Sequence, residues 1–226
     1  MKPKVLDNIV LELGLDQVLS RLHIDPDSED AVWVEQMVKE ARQIARPKVI
    51  YAPFDIDEKG DDYVVIGGIR FESRILRVNL DSAHRVFAYV ASCGRELQEW
   101  MEFFDDMLMQ YAADEICRLG LNAAVEAFLK DINKVLPGKS ASMNPGSLPD
   151  WPLPEQQKLF ALLGGSPLVI GVELSDSSLM RPIKSISGFR FATEHNFENC
   201  QLCPRENCPG RRAPYDEGLY QARYAG

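Results

Sequence analysis

KVIYAPFDIDEKGDDYVVIGGIRFESRILRVNLDSAHRVFAYVAS, residues 48–92, is the stretch that decides the fold class of this chain. It contains four runs rich in β-branched and aromatic residues, separated by Gly and Asp breaks: KVIYAPF (48–54), YVVIGG (63–68), SRILRVNL (73–80) and HRVFAYVAS (84–92). Runs of this kind with short connections are typical of strands. They predict a largely antiparallel sheet.

Segments with helical spacing lie on both sides of this block. Residues 3–22 carry apolar residues at near-helical intervals, and Asp27 or Ser28 is placed to cap a second helix that runs to about Ala45. After the block, helical period returns in CGRELQEWMEFF (93–104), in residues 107–136 and in EQQKLFALLG (155–164). Because the strands arrive in one block and the helices in others, we predict an α+β fold rather than a doubly wound parallel sheet.

The C-terminal half adds two predicted strands and a long loop. PLVIGVEL (167–174) predicts a buried strand, and IKSISGFRFAT (183–193) predicts another. Between the helices, residues 137–154 hold five prolines and two glycines, which predicts an ordered, functional loop. We predict one domain at residues 1–196, with an N-terminal helical part at about 1–46, and a cysteine-containing tail at 197–226.

Composition limits the classes of function. The chain has 226 residues, 46% of them hydrophobic, which is enough for a buried core. It has no signal-peptide pattern and no stretch near the roughly 18 apolar residues of a membrane span, so we expect a soluble, cytoplasmic protein. With 34 acidic against 25 basic residues, its net charge of -9 argues against binding nucleic acid.

Three of the five cysteines stand close together in NCQLCPRENCPGRR (199–212), in the pattern C-x2-C-x4-C. Cys200, Cys203 and Cys208 could hold zinc or an iron–sulfur cluster, form a redox pair, form a disulfide or remain free thiols. Because cytosolic thiols stay mostly reduced, a disulfide is the least favoured of the metal, redox and disulfide alternatives. A closed metal site needs a fourth ligand, for which the candidates are Cys93, His195, Cys117 or a residue of a partner.

Two other features could bind a ligand. Glu126 lies in LNAAVEAFLK (121–130), where the spacing favours a solvated helix face, although a carboxylate facing a cleft could hold an ammonium group. ELSDSSLMRPIKSISGF (173–189) holds five serines, whose hydroxyls suit either a polar ligand or local capping. The histidines, at 23, 84 and 195, do not have the spacing of a hydrolytic zinc centre.

Three stretches together resemble the reactivation domain of cobalamin (vitamin B12)-dependent methionine synthase, over about residues 80–195. They are LNAAVEAFLKDI (121–132), NPGSLPDWPLPEQQKLFALLG (144–164) and ELSDSSLMRPIKSISGF (173–189). The third is the most specific, through Met180, Pro182, Ser185, Ser187 and Gly188. The resemblance implies a helmet-shaped α+β domain that binds S-adenosylmethionine and supports reductive methylation of cob(II)alamin.

The resemblance also implies a set of ligand-binding residues. It places Glu126, Pro145, Gly146, Ser147 and Ser185 at the S-adenosylmethionine site, and it designates no catalytic residue. The family's loop arginine falls here at Ser142 and its tyrosine at Ser147. A serine cannot replace the two charge-assisted hydrogen bonds that a guanidinium makes to a carboxylate, although Arg181, Arg190 or a residue of a partner could compensate.

Partners follow from the same resemblance. The chain has no corrinoid-binding D-x-H-x2-G segment, so cobalamin is expected on a separate corrinoid protein or methionine synthase core, with a flavodoxin- or ferredoxin-type electron donor. The chain would then be a component of a methyltransferase rather than a complete enzyme. The alternative is a metal- or iron–sulfur-binding electron-transfer or docking protein that no longer binds S-adenosylmethionine.

Overall fold

The computed structural model describes residues 2–194, 197–208 and 210–224 of the chain. Within these ranges there are seven α-helices, nine β-strands and two 3₁₀ turns, at Ser166–Ile170 and Asn199–Leu202. The helices are α1 (Leu15–Leu22), α2 (Glu29–Ile44), α3 (Arg74–Asn79), α4 (Arg95–Glu102), α5 (Met107–Ile132), α6 (Glu155–Leu163) and α7 (Leu219–Arg223). The strands are β1 (Lys4–Leu6), β2 (Lys48–Lys59), β3 (Tyr63–Ile66), β4 (Ile69–Glu72), β5 (Arg85–Ser92), β6 (Ser140–Met143), β7 (Glu173–Leu174), β8 (Met180–Arg181) and β9 (Ser185–Ala192).

Seven of the described strands form one sheet in which every neighbouring pair is antiparallel. The strand order is β4-β3-β2-β5-β9-β6, and β1 also pairs with β2. β7 and β8 form a separate hairpin. With helices on both faces, the chain is a single α+β domain with an antiparallel sheet, as the block of strands predicts.

Each sheet face packs against different elements. On one face, α3, α6 and the C-terminal segment cover the largest apolar cluster, in which Phe189 stacks on Trp151 with ring centroids 5.6 Å apart. On the other face lies α5, whose Phe128 stacks on Tyr89 with centroids 4.5 Å apart. The N-terminal part of α5 also packs with α1, α2 and α4 in a helical cluster.

The cysteine segment folds back onto the sheet core. Phe197 and Tyr224 are 3% and 0% exposed within the largest apolar cluster, and the Tyr224 hydroxyl donates to the Asn79 Oδ1 at 3.1 Å. Leu202 and Cys203 pack against the same cluster. The described residues of the predicted tail therefore share the core of the domain.

The predicted helix over residues 3–22 is wrong in its first half. Lys4–Leu6 is a strand that pairs with β2 over Val49–Tyr51, and helix α1 begins only at Leu15. A strand edge of β2 offers unpaired backbone groups that a neighbouring segment satisfies. Pairing with a distant strand thus overrides the local apolar spacing.

The predicted strand at residues 73–80 is also wrong, because Arg74–Asn79 forms helix α3. The Ser73 side chain caps it by accepting a hydrogen bond from the Leu76 N–H at 2.9 Å, and the Asp150 carboxylate accepts one from Ile75 N–H at 3.0 Å. A capping serine is a helix-start signal that the apolar content of this run obscures.

The structure corrects two further predictions, both in the C-terminal half. The predicted strand at 167–174 is a 3₁₀ turn at Ser166–Ile170 followed by the two-residue strand β7, and Leu168 and Val169 are exposed. The segment 137–154, predicted to lack regular structure, contains β6, which pairs with β9. Within the described ranges, none of the helices is both long and apolar enough to span a bilayer.

Candidate ligand-binding site

A cavity of about 360 Å³ lies where the loop after β6, helix α6, the β7–β8 hairpin and strand β9 meet. Its volume falls in the range of small-molecule sites. Half of its lining residues are polar and half are apolar: Asn144, Ser147, Gln156, Ser178, Ser185 and Ser187, and Pro145, Leu153, Leu179, Met180, Ile183 and Ile186.

Two buried amides fix the polar wall of this cavity. Asn144 donates to the Tyr89 hydroxyl at 2.8 Å and to the Ser187 carbonyl at 2.7 Å. Gln156 donates to the Ser178 carbonyl at 2.8 Å and accepts from the Ser187 hydroxyl at 2.8 Å. Because both amides are held by several elements, the wall is preorganised.

The loop that carries Pro145, Gly146 and Ser147 is closed by backbone hydrogen bonds. Gly146 N–H donates to the Trp151 carbonyl at 2.8 Å, and Ser147 N–H donates to the Asn144 carbonyl at 3.2 Å. Gly146 has φ +80°, in the left-handed region that favours glycine. The fully buried Trp151 thus holds the loop against the core.

The lining has no charged side chain among the residues that the structure describes. At its mouth, Leu179 and Ile183 are 59% and 62% exposed, so the entrance is apolar. The Ser185 hydroxyl lies 2.9 Å from the Ser92 hydroxyl and 2.7 Å from the Pro182 carbonyl. The cavity therefore offers amides, hydroxyls and apolar contacts, but it offers no fixed charge for an ionic ligand.

The predicted site residues are divided between two places. Pro145, Ser147 and Ser185 line the 360 Å³ cavity, and Gly146 lies in the same loop. Glu126 is exposed on α5 and lines a separate cavity of about 440 Å³ beside the N-terminal segment, together with Glu12, Arg21 and Lys130. The structure therefore does not bring Glu126 into the first cavity, and its ligand role stays a prediction.

A polar cluster around Arg190 lies along the same strands. Arg190 on β9 donates to the Ser142 hydroxyl at 3.1 Å and to the Ser140 hydroxyl at 2.7 Å. Tyr89, fully buried beside Ser142 and Asn144, has its pKa raised by burial. Alternation along SISGFRFA puts Arg190 on the face of Ile186, but only strand pairing reveals the two serines beside it.

All five cysteines are free thiols. Arg211 organises the cysteine loop, because its guanidinium donates to the carbonyls of Cys200 at 3.0 Å and Cys203 at 3.1 Å. The Cys200 sulfur accepts a hydrogen bond from the Arg212 N–H at 3.4 Å. Within the described residues, no group of three His, Cys, Asp or Glu side chains is arranged to hold a metal ion, and the metal site stays a prediction.

The candidates for a fourth ligand lie elsewhere. Cys93 and Cys117 are 0% and 1% exposed in the helical cluster, whereas Cys203 packs against the sheet cluster. A sulfur hydrogen bond with Cys93, together with burial, raises the pKa of the Cys117 thiol. His195 lies outside the described residues. Both helical thiols are thus packed as apolar groups, and Cys93 precedes helix α4 rather than beginning it.

No model of a protein family matches the chain, and no curated protein matches it by sequence. Among solved structures, the chain is similar to the crystal structure of the MetH reactivation domain bound to AdoHcy, with a TM-score of 0.64 and 14% sequence identity. The similarity covers 88% of this chain and 81% of that chain. The chain therefore has a fold related to that of the reactivation domain.

Proposed function

We propose that this chain binds S-adenosylmethionine in the 360 Å³ cavity and supports the reductive methylation of a corrinoid carried by a partner protein. The observation that carries the proposal is the coincidence of fold and site. On a fold similar to a domain that binds AdoHcy, the loop and strand that resemble the family's ligand-binding motifs meet at one cavity.

The chemistry of the cavity suits the uncharged part of such a ligand. Adenine presents nitrogen donors and acceptors on its edge and an apolar face, which match the remaining hydrogen-bonding capacity of the Gln156 amide and the side chains of Met180 and Ile186. S-adenosylmethionine supplies a methyl group on a sulfonium sulfur. The serine hydroxyls at 147, 178 and 185 can meet the hydroxyls of its ribose.

The chain would act as a component of a methyltransferase. In this proposal cobalamin arrives on a corrinoid protein or a methionine synthase core, and a flavodoxin- or ferredoxin-type protein delivers the electron. The apolar mouth formed by Leu179 and Ile183 is where a ligand in the cavity would meet the partner.

Calorimetric titration with S-adenosylmethionine tests the binding. We expect a saturable, one-site isotherm with the full chain. Replacement of Ser147 by Trp should weaken binding by roughly tenfold or more, because an indole at this exposed lining position fills the cavity. Ser82→Trp, at an exposed serine outside the cavity, is the matched control and should bind like the unmodified chain.

Absence of binding at millimolar S-adenosylmethionine would contradict the proposal. Equal binding by the unmodified chain and Ser147→Trp would show that the ligand binds elsewhere, and the cavity containing Glu126 would become the next site to test by Glu126→Gln.

A second candidate function is metal binding or electron transfer by the cysteine loop on a fold that no longer binds S-adenosylmethionine. Two observations favour it: no charged side chain among the described residues lines the cavity, and an N–H···S hydrogen bond reaches Cys200 in a loop with two further free thiols. Anaerobic purification followed by visible absorption and metal analysis tests it. A colourless, metal-free protein in which Cys208→Ser changes nothing would contradict it.

A further inference from the structure

The turn where α4 meets α5 exposes a group of large apolar side chains. Phe103 and Met107 are 83% and 84% exposed, and Leu108 and Tyr111 are also exposed. Met107 and Tyr111 lie one turn apart on α5, so they share a face of the helix. Single exposed apolar residues are ordinary, but a group of them within nine consecutive residues is typical of a surface that binds a partner. We call these four residues the α4–α5 corner.

A groove of about 500 Å³ lies beside this corner, between the end of α2 and helix α4. Ile44, Trp100 and Phe103 provide its apolar lining, and Glu96 and Glu99 add two carboxylates. Aromatic rings and carboxylates both attract a cation. The groove therefore has the chemistry to accept the end of a Lys or Arg side chain.

The lining of this groove is preformed. The Trp100 indole donates from Nε1 to the Glu40 carboxylate at 3.2 Å, and Phe104 packs edge-on against it with ring centroids 5.0 Å apart. Arg46 also lines the groove, but its guanidinium donates to two backbone carbonyls around the end of α2, at 2.9 Å and 2.7 Å. The lining cation is therefore already engaged, and the indole is fixed in place.

The charge around this surface has one sign. Residues 96–111 contain five acidic residues and neither Lys nor Arg. Glu96 and Glu102 pair with basic side chains from other parts of the fold, whereas Glu99 and Asp105 are exposed and form no ion pair with any residue that the structure describes. A basic partner would meet complementary charge here, while a second copy of this face or an anionic membrane would meet like charge.

We infer that the groove and the α4–α5 corner together dock a basic, amphipathic segment of a partner protein. A Lys or Arg of this segment enters the groove beside Trp100 and Glu99. Its apolar residues cover Phe103, Met107 and Tyr111, since methionine and aromatic side chains adapt to the apolar face of an amphipathic helix. The acidic rim selects the sign of the partner's charge.

This docking surface is separate from the 360 Å³ cavity. The segment from β8 to β9 meets α4 through other residues: Gln98 accepts from the Ile183 N–H at 2.8 Å, and Glu102 pairs with Arg181 at 2.6 Å. Among the described residues, the groove and the cavity have no lining residue in common. The inference therefore does not depend on the binding of S-adenosylmethionine.

Two synthetic peptides test the docking: an amphipathic helix of leucine and lysine, and the same sequence with every lysine replaced by glutamate. Each is titrated calorimetrically into the full chain. We expect saturable, one-site binding of the lysine peptide, weakened by added salt, and no binding of the glutamate peptide. Phe103→Ser should weaken binding of the lysine peptide roughly tenfold or more, because it removes the central apolar anchor. Glu99→Gln should weaken it roughly threefold.

Val135→Ser and Glu206→Gln are the matched controls. Val135 is 60% exposed beyond the other end of α5, and Glu206 is exposed in the cysteine loop. Both variants should bind the lysine peptide like the unmodified chain. Because Phe103 and Glu99 are exposed, their variants should also unfold at the same temperature as the unmodified chain, which separates loss of docking from loss of folding.

The inference is overturned if the lysine peptide does not bind, if both peptides bind equally, or if Phe103→Ser binds the lysine peptide as tightly as the unmodified chain does. Self-association that Phe103→Ser abolishes, measured by sedimentation in the absence of peptide binding, would show that a second copy covers this face instead. Titration of Phe103→Ser with S-adenosylmethionine should match that of the unmodified chain. Failure of the proposed function and failure of this inference are thus distinguishable.

Discussion

The Tyr51 hydroxyl donates a hydrogen bond of 2.6 Å to the Asp131 carboxylate, which joins strand β2 to the end of helix α5. Lys4 on β1 forms an ion pair of 2.6 Å with the same carboxylate. One side chain thus ties together three elements that lie far apart in the sequence. The pairing of β1 with β2 and the position of the long helix are stabilised at this point.

Because of the Asp131 contacts, the free energy of unfolding should depend on pH in the acidic range. Hydrogen bonds from Lys4 and then Tyr51 lower the pKa of Asp131 from 3.8 to about 2. Because the folded-state pKa is depressed, this contribution is present above about pH 4 and is lost as the pH falls towards 2. We expect Asp131→Asn to lose about 1–2 kcal/mol of unfolding free energy at pH 7 and to show a weaker pH dependence between 4 and 2.

Urea denaturation across this pH range measures the effect. Asp105→Asn, at an exposed aspartate before α5, should follow the unmodified protein. If the unfolding free energy of Asp131→Asn fell between pH 4 and 2 as steeply as that of the unmodified protein, this carboxylate would not be a source of the acid sensitivity.

Gly188 is expected to tolerate no side chain. A Cβ there would lie 2.3 Å from the Met143 carbonyl oxygen and 2.5 Å from the Asn144 amide nitrogen. Gly188→Ala should therefore destabilise the domain by about 1–3 kcal/mol and weaken ligand binding, because β6 must move away from β9. Gly165→Ala, with no atom within 4 Å of the added Cβ, should leave both unchanged in the same denaturation and titration experiments.

Ser73 should contribute to stability as the cap of α3. Ser73→Ala removes the acceptor for the Leu76 N–H and is expected to cost about 1 kcal/mol. Ser28 precedes α2 but makes no capping hydrogen bond through its side chain, so Ser28→Ala should cost less. Comparison of the two variants by thermal unfolding tests the assignment of residues 74–79 as a helix, and equal losses would contradict it.

Tyr224 tests whether the cysteine segment belongs to the core. Its ring is 0% exposed and packs on Phe197, so Tyr224→Ala should destabilise the whole domain by about 3–5 kcal/mol. Tyr220 is 40% exposed, so Tyr220→Ala is the matched control and should lower the unfolding free energy far less. If Tyr224→Ala only made the last residues more susceptible to proteolysis, without lowering the stability of the domain, the cysteine segment would not belong to the core.

Thiol labelling should divide the five cysteines into two groups. Cys200, Cys203 and Cys208 are partly exposed, whereas Cys93 and Cys117 are buried and the pKa of Cys117 is raised. Under native conditions we expect rapid modification of the first three and modification of the other two only after unfolding. Protection of the first three that a chelator abolishes would instead support a metal in the loop.

The local patterns predicted most of the secondary structure correctly. The helix at 29–44, the long helix from Met107 and the strands at 48–59, 85–92 and 185–192 carry their own periodicity. Residues 74–79 were misassigned because their apolar content fits either a strand or a helix, and Lys4–Leu6 because its pairing partner is distant. Local spacing does not encode which strand edge a segment will meet.

The sequence by itself determined the α+β class and located the loop at Pro145–Ser147 and the serine-containing strand, because both are continuous motifs. Only the tertiary structure decided that these two segments share a cavity, that Glu126 lines another one, and that Arg190 lies opposite Ser142. Strand register and helix packing bring together residues up to dozens of positions apart. Their contacts depend on burial and pairing across the whole domain, and no short stretch of sequence contains that information.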